Sequence, residues 1–203
     1  MTMTPRLSKF ILTTHITFSI GWLGTVSAFL VLAVAGIVGS NQTVRAVYIA
    51  MELIAWFVIV PFCFASLLTG LIQSLGTSWG LFRHYWIVVK LFLTLIATIV
   101  LMLHMQPISY LSKMASETIL LAADLRDLRI QLVADAGAAL LVLLATTTIS
   151  VYKPWGKIEF GFSIPRFKSI AKKPLGIFLL IGFILVIILF IVLHLVEGGL
   201  SRH

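Results

Sequence analysis

The sequence predicts an all-α integral membrane bundle of five transmembrane helices, and three observations carry that expectation. The 203 residues are 60% hydrophobic and only 11% charged, with a mean hydropathy of +1.11, which leaves no segment polar enough to build a soluble domain with its own core. Five long windows, at about 10–38, 46–75, 85–106, 130–152 and 174–197, are almost free of charge. About 20 residues at 1.5 Å rise cross the hydrocarbon, so each window is long enough. The 15 cations divide unequally between the two sides that five crossings create. One single-domain membrane bundle over 1–203 is the simplest organisation.

Span one is longer than the apolar core of a secretory signal and lacks a clear small-residue cleavage site, so it is expected to be retained. At about 100° per residue, His15, Ser19, Trp22, Val26 and Phe29 share one face, and Gly21, Gly24 and Ala28 allow close helix contact. In span two Glu52, Trp56, Ile59, Cys63, Ser66 and Gly70 fall near one line. A polar stripe on a membrane helix should face protein. Gly76, Thr77, Ser78, Trp79 and Gly80 read as a tight turn, and Trp79, Tyr85 and Trp86 suit an interfacial aromatic belt.

Span three aligns Lys90, Thr94, Ala97, Leu101 and His104, with His84 well off that face. Before span four, Leu121, Leu125, Leu128 and Leu132 recur at helical spacing, which predicts that the helix begins outside the apolar window. Span four then aligns Asp135, Ala139, Val142, Thr146 and Lys153. The loop from Lys153 to Lys173 mixes cations with Pro154, Pro165, Trp155, Phe160, Phe162 and Phe167, as expected of a topology-setting loop beside anionic headgroups. In span five the run from Leu175 to His194 carries no formal charge, and His194 closes it.

Ten cations fall on the side of the N-terminus: Arg6, Lys9, Arg83, Lys90, Lys153, Lys157, Arg166, Lys168, Lys172 and Lys173. Five fall on the other: Arg45, Lys113, Arg126, Arg129 and Arg202. The positive-inside rule then puts the N-terminus in the cytoplasm and the C-terminus outside. The net charge of +8 follows from topology and not from nucleic-acid binding, since the cations cluster in short segments beside apolar spans. A single cysteine, Cys63, excludes an internal disulfide. Hydrolytic triads, phosphate loops, clustered cysteine metal sites and dinucleotide fingerprints are absent from the sequence.

Depth sorts the polar residues. His104 and His194 lie about a turn inside the outer ends of their helices, with Glu52 and Asp135 somewhat deeper, while His15 and Lys90 belong to the inner half. Two imidazoles at one depth are what a b-type haem needs, because iron takes an axial nitrogen on each side and the flat macrocycle fits between helices. His104 and His194 are therefore the expected axial or metal ligands and His15 the next candidate. Lys90, Glu52 and Asp135 are the expected propionate or proton partners. Alternatively, Glu52, His104, Asp135 and His194 form a proton or metal site, or the histidines are interfacial residues bonded to backbone or water.

The segment 66–104, with Thr69, Gly70, Trp79, Gly80, His84, Tyr85, Trp86, Lys90 and His104, resembles a motif block of a widespread family of small bacterial integral-membrane proteins without an assigned activity. The resemblance implies a bundle in the bacterial cytoplasmic membrane. The plan of five spans with histidines near both faces also looks like the small membrane cytochrome b anchors of respiratory complexes, although span two holds no histidine. The expected function is a haem b protein passing electrons to or from a small diffusible partner, a quinone or an oxygen species. The alternatives are a proton- or metal-coupled transporter or metal-binding protein, and a non-enzymatic assembly subunit.

Overall fold

The computed structural model describes residues 3–77, 81, 84–117 and 124–154, and these are all-helical with no strand among them. Four of the five expected spans fall within them. The fifth, 174–197, with His194, lies outside the described residues, as does most of the 153–173 loop.

Helix α1 runs Pro5–Val38. Thr4 starts it, its hydroxyl accepting from the Leu7 amide at 3.4 Å, and Pro5 occupies the first turn, where a missing N–H costs nothing. Two residues later Ser40 caps α2 (Asn41–Ile54) in the same way, accepting from Thr43 at 3.4 Å. So short a connection makes α1 and α2 antiparallel neighbours. A π-helical turn over Ala55–Ile59 joins α2 to α3 (Val60–Gly76), and the three segments form one continuous crossing. Its cause is Pro61. A proline there cannot donate to the Phe57 carbonyl, and Val60 instead donates five residues back to Ala55.

Helix α4 (Tyr85–Ser116) passes straight through Pro107, about three turns beyond the span expected to end at 106. The extension persists because Ile108, Leu111, Ser112 and Ala115 are buried, with Ile108, Leu111 and Ala115 joining the core that α2 shares, and this burial outweighs one lost backbone bond. Helix α5 (Asp124–Tyr152) begins ahead of its apolar window as the leucine spacing predicts; Leu125 and Leu132 are buried.

Four crossings of 28 to 36 residues are each long and apolar enough to span a bilayer, and they mark a multi-pass membrane protein. Their outward surfaces agree: Phe10, Val31, Phe57, Leu68 and Leu75 are exposed, as lipid-facing side chains should be. Hydroxyls on the spans return to the helix that carries them; Thr25, Thr94, Thr98 and Thr147 each donate to the carbonyl four residues back. The core runs through Ala33, Met51, Ala55, Cys63, Leu111 and Ala115, all fully buried. Small residues set the spacing: a methyl group on Gly36 would meet the Tyr48 hydroxyl at 2.8 Å.

Polar contacts tie the two ends. At one, the Met3 amide donates to the Gly76 carbonyl at 2.9 Å. At the other, Arg45 donates to the Ser116 carbonyl at 3.1 Å, and Arg129 of α5 donates to the Tyr48 hydroxyl at 3.2 Å and to the Gly36 carbonyl. Arg129 thereby places a cation on the open carbonyls at the C-terminus of α1. The crossings alternate in direction, with Pro5, Gly76, Tyr85 and Tyr152 at one end and Val38, Asn41, Ser116 and Asp124 at the other.

Candidate functional site

Among the described residues, two histidine-centred polar groups sit inside this bundle, one toward each end. From Lys90 to His104 is fourteen residues along α4, or about 21 Å at 1.5 Å per residue.

At the Val38 end, α4 and α5 bring His104 and Asp135 together. Both are buried, and Nε2 lies 2.7 Å from Oδ2. The other ring nitrogen, Nδ1, lies 2.6 Å from the Val100 carbonyl. A carbonyl oxygen only accepts, so Nδ1 carries a hydrogen. A hydrogen must also lie between Nε2 and the carboxyl group, on one partner or the other, since two lone pairs would repel at that distance. The pair is therefore either imidazolium with carboxylate or imidazole with carboxylic acid, and it is neutral overall. Removing its proton would leave a net negative charge in a dry interior, which is costly.

At the Pro5 end, α1, α3 and α4 assemble His15, Ser66, Thr69 and Lys90. The Thr69 hydroxyl donates its only hydrogen to the Ala65 carbonyl at 2.6 Å. Toward His15 it can only accept, as does the Ser66 carbonyl; Nδ1 lies 3.2 Å from the first and 3.0 Å from the second. Nδ1 thus holds the hydrogen in the neutral ring, and Nε2 presents a lone pair. Lys90 Nζ meets it at 3.2 Å and donates to it. Ser19 and Ser66 share a hydrogen bond of 2.7 Å beside the ring. Gly70 leaves the space that His15 needs, for a methyl group there would lie 3.0 Å from Cε1.

His15 and Lys90 open onto a cavity of about 520 Å³ walled by α1, α3, α4 and α5. Apolar side chains such as Leu12, Ile16 and Leu91 make most of its surface, and Gln73, Thr146 and Lys153 add polar points. Among the described residues, no carboxylate lines it. Lys153 follows the last turn of α5 with φ +44°, its amide donating to Ile149 at 2.9 Å, a closing position that usually takes glycine.

No family model, curated protein or solved structure matches this chain. The geometry alone therefore bears on its function.

The expected site residues separate into two sets. His104 meets Asp135, and His15 meets Lys90; His194 lies outside the described residues. Asp135 turns inward, as its place on the span-four line predicts. Glu52 falls beside the expected stripe because the π-helical turn keeps Met51, Ala55, Ile59 and Cys63 in the core line and leaves Glu52 and Trp56 to one side. Trp56 is half exposed, with its indole donating to Ser109 at 3.3 Å. His84 is buried beside Trp86, their ring centres 6.3 Å apart. Among the described residues no three His, Cys, Asp or Glu side chains gather as a metal site would require. Sequence phase did not reveal the tautomer lock by the Ser66 carbonyl or the Arg129 clamp, since both depend on backbone oxygens of another helix.

Proposed function

We propose that this protein is a proton-exchanging membrane protein of the coupled-carrier class, working in the bacterial cytoplasmic membrane. The observation that supports this reading is the buried His104 and Asp135 pair, which holds one exchangeable proton between two side chains in an apolar bundle. A pair of this kind passes its proton on only when water or a second acceptor reaches it, which is the property a coupled step needs. Infrared difference spectra of the reconstituted protein across a pH jump test it. A carboxyl or imidazole band should titrate and vanish in Asp135→Asn. A spectrum without such a band, or one unchanged by Asp135→Asn, overturns the reading.

A second reading, haem b electron transfer, draws on His15. Ligating histidines commonly donate their other ring nitrogen to a carbonyl, as His15 does toward Ser66, and leave Nε2 for the metal. The cavity has an apolar wall for a macrocycle, and Lys153 suits a propionate. Lys90 would have to swing away from Nε2. His104 fits less well, because both its ring nitrogens already face oxygen atoms. Haem supplies one-electron exchange when bound, here with a diffusible partner such as a quinone. This reading expects sharp reduced α and β bands that are lost in His15→Ala. Colourless protein from haem-sufficient cells, with no uptake of added haem, refutes it.

A further inference from the structure

The hydroxyl groups around the cavity at the Pro5 end share one commitment. Among the described residues eight serines and threonines line it, and six of them, Ser74, Thr77, Thr94, Thr146, Thr147 and Ser150, donate to a backbone carbonyl three or four residues back at 2.7 to 2.9 Å. A hydroxyl has one hydrogen, so toward the cavity these six present lone pairs only. Any one such bond is ordinary on a membrane helix. Six around one space make a wall that accepts hydrogen bonds and does not donate them.

Lys90 lines the same space and supplies the complement. Its Nζ gives one N–H to His15 at 3.2 Å and, charged or neutral, carries at least one more. Counted at 1.5 Å per residue, Thr94, Thr146 and the His15 that Lys90 meets stand about 9 to 15 Å inside the Pro5 end of their helices. Donor and acceptors therefore share one depth. The cavity is also bordered on α1 by Leu12, Ile16 and Ile20, all exposed, and an edge of this kind on a spanning helix faces hydrocarbon rather than water.

We infer that this cavity binds an uncharged, lipid-soluble hydroxyl compound, its oxygen accepting from Lys90 and its O–H donating to a threonine of α4 or α5. Other heads match less of the wall. A ketone, ester or ether would set lone pairs against lone pairs, an ammonium could not accept from Lys90, and a plain hydrocarbon would leave both kinds of group unmet. A hydroxyl does both at once. The volume of about 520 Å³ lies within the range of small-molecule sites, and the apolar majority of the lining suits the rest of such a molecule. The site needs neither the His104 and Asp135 proton nor haem, whose macrocycle would take the same space.

Trp22 and Trp86 line the cavity and serve as reporters. Protein carrying Trp56→Phe, Trp79→Phe and Trp155→Phe, delipidated in a neutral detergent, is titrated with three chain-brominated probes: a long-chain 4-alkylphenol, the methyl ether of that phenol, and a long-chain alcohol. The phenol or the alcohol should quench saturably, and which binds tighter tells an aromatic from an aliphatic ligand. The ether, alike in shape but without the hydrogen, should bind about tenfold more weakly than the phenol. Thr94→Val, Thr146→Val and Thr147→Val together keep the branched side chains and should abolish that preference. Lys90→Met should weaken phenol and ether alike, severalfold, since both carry the accepting oxygen. Equal affinity for phenol and ether, a preference that survives in the triple-valine protein, or no saturable quenching by any probe overturns the inference.

Discussion

Removing His104 should harm this protein far more than neutralising its partner, and the two changes together should do less damage than the first alone. His104→Ala takes away the imidazole 2.7 Å from the buried Asp135, and removing one partner of a buried pair costs about 3–5 kcal/mol. Asp135→Asn keeps the shape. Its amide can donate to Nε2 while Nδ1 still donates to Val100, so only the charge-assisted part of the bond goes, about 0.5–1.5 kcal/mol. Combining them removes the carboxylate and leaves an amide beside a small void, at about 1–3 kcal/mol. Asp135→Asn thus destabilises when His104 is present and stabilises by about 2 kcal/mol when it is not. Reversible unfolding in mixed micelles, followed by far-ultraviolet circular dichroism, measures all four corners of this cycle. A double variant no more stable than His104→Ala would show that no shared proton joins the two groups.

Gly36→Ala should cost about 1–3 kcal/mol, because its methyl group would meet Tyr48 within 2.9 Å and dislodge the residue that Arg129 grips; Gly24→Ala, with open space around it, should change stability by less than about 0.5 kcal/mol, and thermal unfolding compares them. Gly70→Ala should push the His15 ring off Ser66, seen as a changed tautomer signature in nitrogen-15 spectra of labelled histidine; an unaltered spectrum would mean that the ring is not held as described. In a Cys63→Ala background, Ser40→Cys should react with an impermeant maleimide from outside intact cells and Thr77→Cys only after permeabilisation, since these turns lie at opposite ends and the positive-inside rule predicts the Pro5 end inside. The reverse pattern would invert the orientation.

How much of this was legible beforehand depends on what kind of signal each feature leaves. Uncharged windows located four crossings to within a turn or two except at the far end of α4, which runs about three turns further, and the leucine spacing correctly carried α5 back to Asp124. The inward faces of α1, α4 and α5 follow simple helical phase, so His15, Lys90, His104 and Asp135 were placed on protein-facing lines. Phase failed in the second crossing, where Pro61 forces a wider turn and shifts every earlier residue relative to every later one. It failed again at Pro107, where tertiary packing overrides a local helix breaker. Which polar residues would meet across helices was only half readable. Depth grouped His104 with Asp135, but the Ser66 carbonyl that fixes His15 carries no mark in the sequence.

The wider turn at Ala55–Ile59 divides the longest crossing of the described chain near its middle. Above it, α2 packs on α4 and α1; below it, α3 leans chiefly on α1. Pro61 withholds a donor from the Phe57 carbonyl, so the joint is softer than the helix on either side. Rocking at this joint would let the walls around His15 breathe while the Arg129 clamp and the His104 contact stay registered. The single crossing is thus built of two helical segments meeting at one joint, and a residue inserted at that joint should disturb the molecule less than the same insertion one turn away.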